Sequence, residues 1–329
     1  MNTLFIGPYR QSDLNGCFSM SLVKHLLKTK NENIFTPRPI YLDDSMTQDC
    51  EKTVMEAEQC AEDRYDIILQ NLPIESCNSL HGYKNYIVPI TNNRKLSIES
   101  ISNLQKYDKI LTDNVFDHSR FSEFFPEKTF LFDYDIDNLE TNIKPINLGI
   151  YNHMRKLYFI GDYSQNSDLI RTLIASFISL HRYRENLCIV FFLTDNNTKI
   201  VDELKQFSNQ AYKQLNIGNV IDKNVFVNIN LDEKSIAMCH RTGDVFLDLN
   251  EDSNNSYHKK NAEKFGNLVV GRENLNFYTN LVRNNNINFD QYLIASQASI
   301  ETKIATTLDK PETNTENING NTLEQLLWN

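Results

Sequence analysis

Three stretches of the chain carry groups suited to holding a phosphorylated or hydroxyl-rich ligand. The first is the loop from Gly7 to Gly16, which feeds an amphipathic helix. Its glycines let backbone approach a ligand closely, and a helix N-terminus favours an anion. It is not a GxGxxG fingerprint, and no Walker A motif occurs anywhere. The second follows Gly161, where Asn166-Ser167-Asp168 opens a helix and Arg171 lies one turn on. The third is the charged stretch from Glu251 and Asp252 through Lys259-Lys260 to Glu263, where two lysines could meet phosphate and a cluster in an Asn-rich loop is also an ordinary solvated face. His240 ends a short helix, and His81-Gly82 offers a titratable group in the first half. Each has a plainer role as well: Asp168 as an N-cap, Arg171 and the two lysines as a solvated face, His240 as a helix end. No His, Glu and Asp set has metal-ligand spacing. The six cysteines contain no CxxC pair, which fits buried thiols in a reducing cytoplasm.

Strands alternating with helices must position these groups. Thr3–Ile6, Tyr65–Gln70, Asn85–Ile90, Lys109–Thr112 and Phe130–Tyr134 read as strands of a βαβ series. Asp135 to Lys156 loosens into Asp, Asn, Pro and Gly, as a linker does. The series then restarts with Leu157–Ile160, the helix Asp168–Leu180, the strand Cys188–Leu193 and the helix Lys199–Gln214. It continues through strands at Val225–Ile229, Val245–Leu249 and Leu268–Val270. These boundaries predict an N-terminal unit over 1–145, a second over 146–300 and a flexible tail over 301–329, polar from Glu301 to Gly320.

With 329 residues, 40% hydrophobic and 11% aromatic, the chain has material for two packed cores. Its formal net charge of −10 argues against sequence-independent binding to phosphate backbones and against a membrane surface. No apolar run reaches the ~18–20 residues of a membrane helix, and the N-terminus has no basic region of a signal peptide. A cytoplasmic protein is expected.

The order of these segments resembles a known family. Phe5-Ile6-Gly7-Pro8-Tyr9-Arg10-Gln11 followed by Gly16, and Leu157-Tyr158-Phe159-Ile160-Gly161-Asp162-Tyr163, resemble nucleotide-sugar glycosyltransferases of the GT-B architecture. The likeness is to the retaining family-4 type, in a form often encoded by phages. Met238-Cys239-His240-Arg241-Thr242-Gly243-Asp244-Val245-Phe246-Leu247 resembles that family's "LHRTGDCFV" segment. A gapless register from Gly243 reaches Phe265-Gly266-Asn267-Leu268-Val269-Val270, where the family has "YGKPVI".

The resemblance implies an α/β fold of two Rossmann-like domains whose parallel sheets face each other across a cleft. It places the family's two acidic residues at Ser253 and Asn261, and its diphosphate-clamping Arg-Lys pair at Asn166 and Ser167. Gly16, Gly161, Arg171, His240, Glu251 and Glu263 join these as expected donor-side groups, with His81 as an acid/base group on the first domain. The implied activity is retaining transfer of a hexose-type sugar from a nucleotide-sugar substrate to an acceptor, with no resident cofactor or metal. Losing both cations and both carboxylates leaves a second expectation open, a catalytically degenerate module that binds or scaffolds. A third is a transferase acting on nucleic-acid bases, which the acidity opposes.

Overall fold

The computed structural model describes residues 1–30, 32–41, 50–60, 62, 64–91, 96–136, 143–151, 153–181, 186–195, 197–214, 223–249, 256–271, 304, 308 and 321–328. In the first half the order is β1 (Asn2–Gly7), α1 (Leu14–Thr29), β2 (Ile34–Pro39), α2 (Lys52–Gln59), β3 (Ile67–Pro73) and β4 (Lys84–Ile90). It continues with α3 (Ile98–Leu104), β5 (Lys109–Thr112), α4 (Val115–Ser122) and β6 (Thr129–Asp133). The second half runs β7 (Arg155–Gly161), α5 (Tyr163–His181), β8 (Leu187–Leu193), α6 (Thr198–Gln214) and β9 (Asn224–Asn228). After these come α7 (Glu233–Thr242), β10 (Val245–Asp248), α8 (Tyr257–Lys264) and β11 (Leu268–Gly271).

Two separate sheets form, and every strand pairing in them is parallel. Parallel sheets are covered on both faces, so their strands are apolar throughout rather than alternating. β8, Leu-Cys-Ile-Val-Phe-Phe-Leu, is buried at every position. The second sheet has the order β11-β10-β7-β8-β9. Numbered within that half it is 3-2-1-4-5, with a topological switch point between β7 and β10. Ligands of open α/β sheets bind outside the carboxyl ends of strands at such a point.

The chain ends back on the first half, contrary to the loose tail expected over 301–329. β12 (Asn321–Thr322) pairs with Phe132 and Asp133 of β6, making a seven-stranded sheet, and α9 (Leu323–Trp328) packs behind it. Leu323, Leu326 and Leu327 are buried in the first core, and Trp328 Nε1 donates to Thr3 Oγ1 at 3.1 Å. Ile304 and Leu308 are buried in the second core. The apolar residues of Leu323–Trp328 leave docking onto the body open beside a loose tail, and each gains about 2 kcal/mol on burial.

Candidate functional site

The carboxyl edges of the two sheets face each other. Ser12 Oγ of the β1–α1 loop donates to Leu231 O at 2.7 Å, and Lys24 Nζ of α1 pairs with Glu233 of α7 at 2.5 Å. This brings the loop from Gly7 to Gly16 against the second half. Gly16 lies in the first turn of α1. A Cβ there would lie 2.1 Å from Gln11 O, so the loop's own backbone requires the glycine. Asp13 caps α1, accepting from Gly16 N at 2.6 Å. His81 is exposed on the chain leading into β4, at the amino edge of the first sheet and so opposite the cleft.

At the switch point β7 ends on buried Gly161, and the backbone turns into α5. Its opening N–H groups already hold an anion from within the chain. Tyr163 N donates to Asp195 Oδ2 at 2.5 Å, and Ser164 N to Asp195 Oδ1 at 3.4 Å. Burial holds the Asp195 carboxyl above its usual range, against the pull of these donors, and neighbouring Asp162 adds to the rise. Asn166 breaks the helix with φ −121° and ψ 24°, and its Nδ2 turns back to Asp162 O at 2.9 Å. α5 therefore begins five residues before the expected Asp168. Ser167 is half-buried on the next turn. Arg171 faces α6, where Nη2 meets Glu203 Oε1 at 2.7 Å and Tyr163 OH at 2.9 Å. Its guanidinium also lies 5.7 Å from the Phe207 ring. Both Asn166 and Arg171 thus have partners within the second half.

The segment carrying the strongest likeness is architectural. His240 is wholly buried between the sheet and α8. Asn267 Nδ2 donates to Tyr158 OH at 2.8 Å, Tyr158 OH meets His240 Nδ1 at 2.7 Å, and His240 Nε2 meets His258 Nδ1 at 3.1 Å. With Asn267 donating, the run is satisfied when Tyr158 donates to His240 and His240 to His258, leaving both rings neutral. Burial lowers both pKa values, that of His258 to about 4. Gly243 is required because a Cβ there would lie 2.0 Å from the Tyr158 ring. Asp244 accepts from Lys156 N at 2.7 Å, tying β10 to β7 at their amino ends.

α8 closes the cleft against the ends of β5 and β6. Ser256 N donates to Asp113 Oδ2 at 2.6 Å, while Lys260 Nζ binds Asp133 and donates to Tyr134 O at 2.8 Å. Asn261 is 0% exposed; its Nδ2 donates to Tyr257 O at 2.9 Å, and its Oδ1 has no partner among the described residues. Glu263 is half-buried beside Lys259 and Lys260, and burial raises its pKa. Ser253 and Glu251 lie outside the described residues. Two carboxylates escaped the sequence reading although a signal existed. The same tetrapeptide, Leu-Thr-Asp-Asn, ends both β5 and β8 at 111–114 and 193–196. Asp113 and Asp195 each accept a backbone N–H where a helix begins in the second half. Among the described residues no group of three or more His, Cys, Asp or Glu is arranged to hold a metal.

No protein-family model matches the chain, and no curated protein sequence matches it. Solved structures do match. Trehalose 6-phosphate synthase from Burkholderia multivorans aligns with a TM-score of 0.52 at 8% identity, covering 94% of this chain and 89% of that one. The UDP-forming alpha,alpha-trehalose-phosphate synthase from Burkholderia xenovorans, in complex with glucose-6-phosphate, aligns at 0.51 and 8% identity, covering 94% and 93%. At this identity the likeness is one of fold, and the fold is the GT-B architecture of two Rossmann-like domains.

Proposed function

We propose that this chain transfers a sugar from a nucleotide-sugar donor to a hydroxyl-bearing acceptor, with retention at the anomeric carbon. The observation that carries the proposal is the pair of facing carboxyl edges, with a switch point between β7 and β10. On this reading the donor lies on the second half. Its diphosphate approaches the start of α5 at Gly161, Asn166 and Ser167, while Ser253 and Asn261 serve sugar and ribose hydroxyls. Glu251 and Glu263 are further candidates for those hydroxyls, and His240 with His258 fixes α8, which carries Asn261. The acceptor enters along the loop from Gly7 to Gly16. Proteins of this fold include UDP-forming synthases, so uridine diphosphosugars are the first donors to test.

Transfer requires stabilising the charge that develops on the leaving diphosphate. Here that role falls to the N–H groups of Tyr163 and Ser164 once Asp195 releases them, and to Arg171 if it leaves Glu203. A second reading, a transferase-shaped module that binds a partner and no donor, is favoured by this internal pairing. A thermal-shift screen with nucleoside diphosphates and nucleotide sugars separates the two. A true donor stabilises the fold by roughly 2.7 kcal/mol at a hundredfold excess over its dissociation constant. A flat response to every donor supports the second reading.

A further inference from the structure

α8 joins the first half through the Tyr257 ring, buried in the first core, and through a set of polar, mostly charged contacts around it. Lys260 is their hub: its ammonium binds the Asp133 carboxylate and Tyr134 O, and sits 4.3 Å from the centre of the Tyr134 ring. Lys264 Nζ donates to Ile136 O one turn on. Asp113 accepts from Ser256 N, and Lys24 pairs with Glu233 on the neighbouring helix. Behind this contact one polar atom, Asn261 Oδ1, is buried with no hydrogen-bond partner among the described residues. A permanent interface satisfies such groups, whereas one that opens lets water or ligand satisfy them. The same contact leaves Asn261 with no exposed surface, so nothing in the cleft reaches it in this conformation.

We propose that Lys260 closes a charge latch between the two halves, and that α8 lifts reversibly from the ends of β5 and β6 to open the cleft. Opening exchanges the Lys260–Asp133 pair for solvated charges, which salt favours by screening. It also exposes Asp113, Tyr134 and Asn261 together, one acidic and two hydroxyl-binding groups on facing walls. That Asn261 then meets a donor rests on the function proposed above; the latch itself does not.

Cys17 supplies a native reporter. It is wholly buried in the cluster that contains Ile236 and Tyr257 of the second half, close to Asp232 and Glu233. Cys188 and Cys239 are buried inside the second half and report global unfolding. N-ethylmaleimide labelling of the full chain, mapped by peptide mass, measures all three. We expect Cys17 in wild type to label faster as salt rises. Lys260→Ala should raise its rate at low salt by about tenfold and flatten the salt dependence, since local opening sets such rates. Lys260→Arg should restore the wild-type rate, and Asp133→Asn should act as Lys260→Ala does. Cys188 and Cys239 should not change. Equal Cys17 rates in wild type and both charge variants, or parallel acceleration of all three thiols, would overturn the latch. No ligand enters this test, so its failure is separate from a failure to bind donor.

Discussion

Under the proposed function, Asp195 opposes a diphosphate at the start of α5. A carboxylate on the first two N–H groups of α5 competes directly with phosphate, and Asp162 adds a second negative charge beside it. Asp195→Asn keeps an oxygen acceptor for the turn while removing the charge. Its affinity for UDP should rise by about tenfold, which is about 1.4 kcal/mol, with affinity for uridine unchanged. Calorimetric titration of both proteins checks this; equal UDP affinity would leave Asp195 a turn-forming residue alone. Gly16 makes the opposite case. Gly16→Val drives a side chain into Gln11 O and should cost about 3 kcal/mol in urea unfolding, whether or not ligand is present. The sequence points to Gly16 as a close-approach glycine. It does not show that the intruding atoms belong to the loop itself, because that depends on how the loop folds back.

At the scale of elements, α7 and α8 meet the sheet through neutral histidines, and that sets a pH dependence. In the unfolded chain His258 takes a proton near its ordinary value of about 6.5. In the fold, burial delays protonation to about 4. Below the unfolded value the unfolded state therefore binds more protons, and stability is lost as pH falls from about 7 towards 4. A shift of this size corresponds to roughly 3 kcal/mol, and His240 acts in the same direction. Urea midpoints at pH 7 and pH 4.5 should separate widely in wild type and much less in His258→Phe; equal separation would remove the histidine from the account. The closing element is as definite. Deleting 321–329 exposes the pockets of Leu323, Leu326 and Leu327 and leaves the edge of β6 unpaired. It should lower stability by about 3 kcal/mol or more. Strands such as β8 were legible because a strand covered on both faces is apolar without interruption. β12 was not, because two polar residues carry no period, and only pairing with β6 makes them a strand. The start of α5 was missed because Asn166 breaks the helix and Asp168 is a good cap on its own.

For the whole molecule, the restart of the αβ pattern after the linker was enough to foresee two parallel sheets and a cleft between them. The site was less legible, since function there rests on contacts between distant segments. Asp113 meets Ser256, Lys260 meets Asp133, and Arg171 turns to Glu203, and none of these partnerships follows from spacing along the chain. The most direct measurement is release of nucleoside diphosphate from a panel of nucleotide sugars incubated with wild type, Asp195→Asn and Asn261→Ala. Sugar transfer in this cleft predicts release from one donor by wild type, a change in apparent KM for that donor in Asp195→Asn, and loss of release in folded Asn261→Ala. No release from any donor by wild type or Asp195→Asn, or undiminished release by Asn261→Ala, would contradict it.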